Sequence, residues 1–259
     1  MHTFRFLASL PLCFAIASAA HADEGGNAAF RKVCAAHGSA SLVRFKAVGV
    51  GYTGRWGLFL NQLQPVLCDV RFRRDSDETY WLGSPHERLR YRGAGGEKLV
   101  EREPGKVRVI YNGNPEVTAE QAAAAALVAD AYRMFLLGPQ FFQERRAEFT
   151  VGSPRTLGGQ PCTILNTTLR PGFGRSPADT VALWIDPTSH LIRRYGFTIN
   201  GLSTTVGAYV DVTAERYVDR GGVRFATQFS EWVRQPLQIA AHKWHVVALE
   251  EVTADDARF

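Results

Sequence analysis

Cysteine is scarce in this chain, with four residues in 259, and one of them, Cys13, lies in the N-terminal segment. A disulfide-framework fold is therefore excluded. Glycine (24) and proline (12) follow no period, which excludes a collagen-like rod, and 46% hydrophobic against 21% charged residues excludes a disordered chain. No HExxH, CxxC, GxSxG or SxxK pattern occurs, so the short signatures of zinc hydrolases, redox dithiols and serine acyl-enzymes are missing. The net charge of +5 is mild. Its basic residues alternate along predicted strands (Arg71, Arg73 and Arg74; Arg88, Arg90 and Arg92), as on a solvated sheet face, and no nucleic-acid partner is expected.

What is present begins with an address. Arg5, an apolar run from Phe6 to Ala17 and the A-x-A site Ala20-His21-Ala22 read as a cleaved signal peptide over residues 1–22. The run is about twelve residues, too short to cross a bilayer, so the mature chain is expected to be periplasmic with no transmembrane segment. Leu12 before Cys13 is wrong for a lipidated cysteine, which wants a small neighbour there. The mature cysteines, Cys34, Cys68 and Cys162, allow at most one disulfide, of three possible pairings. Cys68 equally suits a buried position.

Periodicity then predicts an α+β domain over residues 23–259. A short helix from about Asn27 to His37 stops at Gly38. Period-two segments follow at Leu42–Val50, Trp56–Leu63, Val66–Arg73, Glu78–Leu82, Arg88–Arg92, Lys98–Arg102 and Lys106–Tyr111, and later at Cys162–Leu169, Thr180–Asp186, His190–Asn200, Thr204–Arg216, Val223–Arg234 and Lys243–Val252. Connections this short force antiparallel pairing. Turns are marked by Asp186-Pro187-Thr188-Ser189 and Asp219-Arg220-Gly221-Gly222. Between the two groups runs a helix from Ala119 to Leu137, with Thr118 and Gln121 as a capping box and Gly138-Pro139 as its stop. Its interior is apolar on more than one stripe, so it must be covered on several sides. The fold class expected is a large curved antiparallel sheet, a half-barrel, wrapped around this helix.

Candidate chemistry is thin. Gly49-Val50-Gly51-Tyr52-Thr53-Gly54 matches G-x-G-x-x-G, but a dinucleotide site needs a helix directly after the glycines, and Arg55–Leu60 contains Gly57 and alternates. His242 and His245, three apart on a predicted strand, face opposite ways and cannot chelate one ion. No cofactor, metal or catalytic residue is assigned. Asp130 and Arg133 are the two charges inside the apolar helix, read as a bridge to each other or as anchors to a strand arginine such as Arg193 or Arg194. The aromatic residues, Trp56, Phe59, Tyr132, Phe135, Phe141, Phe142, Tyr195 and Phe197 among them, are core candidates first and cavity-lining candidates second.

The export signal, the early helix, the strand succession and the apolar mid-chain helix come together with two further segments. These are Leu183-Trp184-Ile185-Asp186-Pro187-Thr188, running into Leu191-Ile192-Arg193-Arg194, and Val218-Asp219-Arg220-Gly221-Gly222-Val223-Arg224-Phe225. In this combination the chain resembles the LolA/LolB-like periplasmic lipoprotein-carrier superfamily. The resemblance implies a half-barrel whose concave face holds an acyl chain or lipoprotein, with the Thr118–Leu137 helix filling or gating it and Arg193 or Arg194 holding that helix. The expected function is a periplasmic carrier or chaperone whose partner is a hydrophobic small molecule or lipid, with envelope proteins as further partners. The alternatives are an envelope hydrolase with a composite polar site and a protein-interaction module that binds no ligand.

Overall fold

A computed structural model describes residues 17–252. The signal-peptide reading therefore falls for the most part outside the described residues. The chain runs through α1 (Ala17–His37), α2 (Ser39–Leu42), β1 (Ala47–Trp56), α3 (Leu58–Leu63), α4 (Pro65–Cys68), β2 (Asp75–Trp81), β3 (Glu87–Gly93), β4 (Gly96–Glu103) and β5 (Lys106–Tyr111). It continues through α5 (Ala119–Leu137), α6 (Pro139–Glu144), β6 (Thr150–Leu157), β7 (Gln160–Leu169), β8 (Asp179–Ile185), β9 (Ile192–Thr198), β10 (Tyr209–Arg220), β11 (Val223–Gln235) and β12 (Ile239–Val252).

All twelve strands form one antiparallel sheet in the order β5-β4-β3-β2-β1-β12-β11-β10-β9-β8-β7-β6. Two meanders, β1 to β5 and β6 to β12, are thus joined at the centre by β1 and β12, the first and last strands, in register from Ala47–Val252 to Trp56–His242. The outer edges are β5 and β6, and α5 connects them. A helix that links the two edges of a curved sheet must cross its concave face, and every residue from Ala123 to Leu137 is buried there. The capping box at its start is formed as expected, Thr118 accepting from the Gln121 N–H and Gln121 accepting from the Thr118 N–H.

Polar ties fix the helix, and they differ from those expected. Asp130 does not pair with Arg133. Its carboxylate binds Arg145 at 3.1 Å and Arg102 of β4 at 3.2 Å, and accepts the Gly174 N–H at 2.6 Å. Arg133 binds Glu144 at 2.9 Å, lies 3.6 Å from Glu87 of β3, and donates to the carbonyls of Trp81 and Ser84. Arg194 does not hold the helix. It pairs with Asp211 at 3.1 Å and lies over Trp184, while Arg193 has no ion-pair partner among the described residues. Hydrophobic periodicity located the helix but carries no information on which distant strand meets it.

Other departures are local. The segments expected as strands at Trp56–Leu63 and Val66–Arg73 are instead the short helices α3 and α4. Their apolar side chains Leu60, Leu63 and Leu67 recur at helical spacing, and Pro65 takes the first position of α4, where its missing N–H loses no bond. β6 was not anticipated because its sequence, TVGSPRTL, is exposed almost throughout and shows no alternation. The G-x-G-x-x-G lies inside β1, whose pairing with β12 is irregular between Gly51 and Tyr52. Cys34, Cys68 and Cys162 are all free thiols and all buried.

A candidate ligand cavity

Helix α5 does not fill the whole concavity. Beside it lies a cavity of about 290 Å³, at the low end of the range for small-molecule sites. Leu127, Val128, Ala131, Tyr132 and Phe135 of α5 form one wall, and Leu60, Leu63 and Leu67 of α3 and α4 cover it like a flap. The sheet contributes Phe197 from β9, Val210 from β10, Val233 from β11 and Ile239 from β12. At the mouth, Gln64 and the 199–208 loop are tied to each other: the Gln64 amide donates to the Thr204 carbonyl at 2.9 Å and the Thr204 hydroxyl donates back at 3.1 Å.

The inner end of the cavity is polar. Arg73, which follows α4, is 5% exposed, and its guanidinium lies over Trp56 at 4.8 Å, Tyr132 at 5.3 Å and Tyr91 at 5.5 Å. Its Nη1 donates to the Leu67 carbonyl at 2.8 Å, its Nε has no partner, and no carboxylate lies within ion-pair distance of it among the described residues. Each aromatic face offers a buried cation about 0.5–2 kcal/mol, which partly replaces lost hydration. Glu231 of β11 lies on the same cavity wall, and burial pushes its carboxyl up to about 7 against the opposing pull of Arg73.

Behind Arg73 stands a column of stacked rings. Trp56 lies on His242 at 4.0 Å, His242 on Trp244 at 4.7 Å, and Trp244 on Phe229 at 5.0 Å. The Tyr132 hydroxyl meets His242 Nδ1 at 3.0 Å. Burial holds the imidazole well below its usual range, so His242 is neutral. His242 Nε2 has no partner and faces Gly54, where a Cβ would come within 2.6 Å of it. His245 is on the exposed side of β12, so the two histidines point opposite ways. Among the described residues, no group of three or more His, Cys, Asp or Glu is placed to hold a metal ion.

Of the eight aromatic residues singled out from the sequence, the structure brings Trp56, Tyr132, Phe135 and Phe197 to the cavity wall. Tyr195 is buried against Phe135, and Phe59 is 56% exposed on the outer side of α3. Phe141 and Phe142 pack at the other end of α5, against Phe173 and against Phe30 and Phe149. Sequence reasoning missed Arg73, Glu231 and the Leu60, Leu63 and Leu67 stripe. The stripe carries a helical spacing, with Pro65 as the start of the second short helix; the two charges had no local signal. A second, shallower groove, of about 1210 Å³, lies on the outer face of β6 to β8 and is bordered by Arg145, Arg146, Arg155 and Arg170.

An open antiparallel half-barrel with a helix across its concave face and an apolar cavity beside that helix is a LolA-like fold. A DUF1329 family protein from Desulfovibrio piger shares it with a TM-score of 0.54 at 12% identity, over 88% of this chain and 93% of that one. A LolA superfamily protein from Nitrosomonas europaea aligns over 88% of this chain and 93% of its own, with a TM-score of 0.49 at 9% identity. No protein-family model matches the chain, and no curated protein matches its sequence.

Proposed function

We propose that this chain is a periplasmic carrier that holds an apolar or amphipathic small molecule, such as a lipid or an acyl chain, in the cavity beside α5. The observation that carries the proposal is the cavity itself. Its walls are almost wholly apolar, which suits burial of hydrocarbon at about 25 cal/mol per Å². Of the exposed large apolar side chains, Leu63 and Leu237 line the cavity. The periplasmic location rests on the signal-peptide pattern of residues 1–22. No described helix is long and apolar enough to cross a membrane.

Native mass spectrometry of protein purified from the periplasm, with organic extraction of what accompanies it, tests the reading. A stoichiometric apolar molecule is expected, together with uptake of a fluorescent fatty-acid probe. Ala131→Phe, which places a ring in the cavity from a buried position on α5, is expected to lower probe affinity at least tenfold while leaving the circular dichroism spectrum unchanged. A chain that arrives empty and takes up no probe overturns the proposal.

A further inference from the structure

The polar atoms on the cavity wall specify the chemistry of its occupant further. Besides Trp56 and Tyr132, whose polar atoms are bound to the Arg73 carbonyl and to His242, five lining residues carry polar side chains: Gln64, Arg73, Thr204, Thr205 and Glu231. Three are already satisfied within the protein, since Gln64 and Thr204 bind each other and the Thr205 hydroxyl donates to the carbonyls of Ile199 and Leu202. Arg73 and Glu231 remain. Glu231 has no hydrogen-bond or ion-pair partner among the described residues, and Arg73 has an unpartnered Nε and no counter-ion.

The other charged and titratable groups around Arg73 are each held by another partner, although Glu78 Oε1 and His242 Nε2 have none. Asp69 is bound by Lys98 at 2.6 Å and by the Tyr111 hydroxyl at 2.7 Å, Glu78 is bound by the Tyr80 hydroxyl, and neutral His242 is bound to Tyr132. Tyr91 presents its ring. Arg73 is therefore a buried cation on the wall of an apolar cavity with no carboxylate at ion-pair distance among the described residues; Glu231, Glu78 and Asp69 act on it only at longer range. A guanidinium pairs best with a planar or tetrahedral oxyanion, through two parallel charge-assisted hydrogen bonds. Glu231, held protonated up to about pH 7 by burial, adds a hydrogen-bond donor rather than a repelling charge.

We infer that the cavity selects a single-chain amphipath with an oxyanion head, a carboxylate or a phosphate, whose head lies on Arg73 and whose chain lies along α5. The inference rests on the carrier reading above. A cavity of about 290 Å³, at the low end for ligand sites, suits a molecule with a single chain.

The test uses the full mature chain at pH 6.5 and compares four ligands of one chain length by calorimetry: dodecanoic acid, dodecyl phosphate, dodecanol and dodecyltrimethylammonium. Dodecanoic acid or dodecyl phosphate is expected to bind at least tenfold tighter than dodecanol, and the better of the two identifies the head. Arg73→Met is expected to reduce that preference below threefold. The comparison on the unaltered chain stands even if this variant does not fold. Equal binding of acid, phosphate and alcohol overturns the inference and leaves the carrier reading in place; so does preference for the ammonium head, which would make Glu231 the anchor. Binding of none of the four overturns both.

Discussion

Asp130→Asn removes one negative charge from the middle of α5 while keeping the shape of the side chain. Asp130 is 3% exposed, and its two oxygens serve Arg145 at 3.1 Å, Arg102 at 3.2 Å and the Gly174 N–H at 2.6 Å. Removing one partner of a buried ion pair costs about 3–5 kcal/mol, because the partner left behind keeps its desolvated charge. Here the arginines remain partly hydrated, with side chains 17% and 25% exposed, and each retains a backbone acceptor, Ala126 for Arg102 and Pro171 with Gly172 for Arg145. The expected loss is therefore at the low end, about 3 kcal/mol. For a chain of this size each kcal/mol moves Tm by about 2–4 °C, so thermal unfolding followed by circular dichroism should show a fall of about 6–12 °C. Asp77→Asn supplies the comparison, since it breaks the Arg92–Asp77 pair, whose side chains are 49% and 60% exposed, and such surface pairs contribute about 0–1 kcal/mol. If Asp130→Asn lowers Tm no more than Asp77→Asn does, the helix is held by its apolar faces alone and the reasoning is refuted.

Two further outcomes are expected. Gly38→Ala should lower the urea midpoint more than Gly83→Ala does: both glycines have left-handed φ, 73° and 70°, but a Cβ at Gly38 would stand 1.9 Å from the Gly222 carbonyl oxygen, whereas Gly83 faces open space. The left-handed conformation alone costs an alanine about 1–2 kcal/mol, so equal losses would show that the β10–β11 turn yields freely. Glu231→Gln should flatten the pH dependence of stability between about pH 4.5 and 7. Burial raises this carboxyl to about 7 in the folded chain, so the folded state keeps a proton that the unfolded chain has already lost, and stability falls as pH rises through that window. The variant, unable to ionise, should gain on the parent at pH 8 and match it near pH 4.5; urea unfolding at the two pH values that gave the same difference would contradict the assignment.

The sequence by itself determined the local elements whose signals are short-range. Thr118, Gln121 and Gly138-Pro139 bound α5, and the Asp186 and Asp219 turns form as read, Asp186 accepting the Thr188 and Ser189 N–H groups and Asp219 accepting that of Gly222. Antiparallel pairing of successive strands also followed from the sequence, because short connections leave them no other way to pair, while the half-barrel was implied by the family resemblance of the sequence. It misread residues 57–68, where apolar residues at mixed spacing fit either period and only packing of Leu60 and Cys68 on Ala241 settles the matter as helix.

The site was decided by the tertiary structure. The first and last strands, β1 and β12, pair at the sheet centre, and that pairing stacks Trp56 on His242 and brings Arg73 and Glu231 to one cavity across about 160 residues of sequence. Which arginine holds Asp130 was equally invisible, since Arg102 and Arg145 reach it from opposite sides of the helix in sequence. Periodicity reports which face of an element is apolar; which partner that face meets, and which charge is left without one, depends on how all twelve strands curve around a single helix.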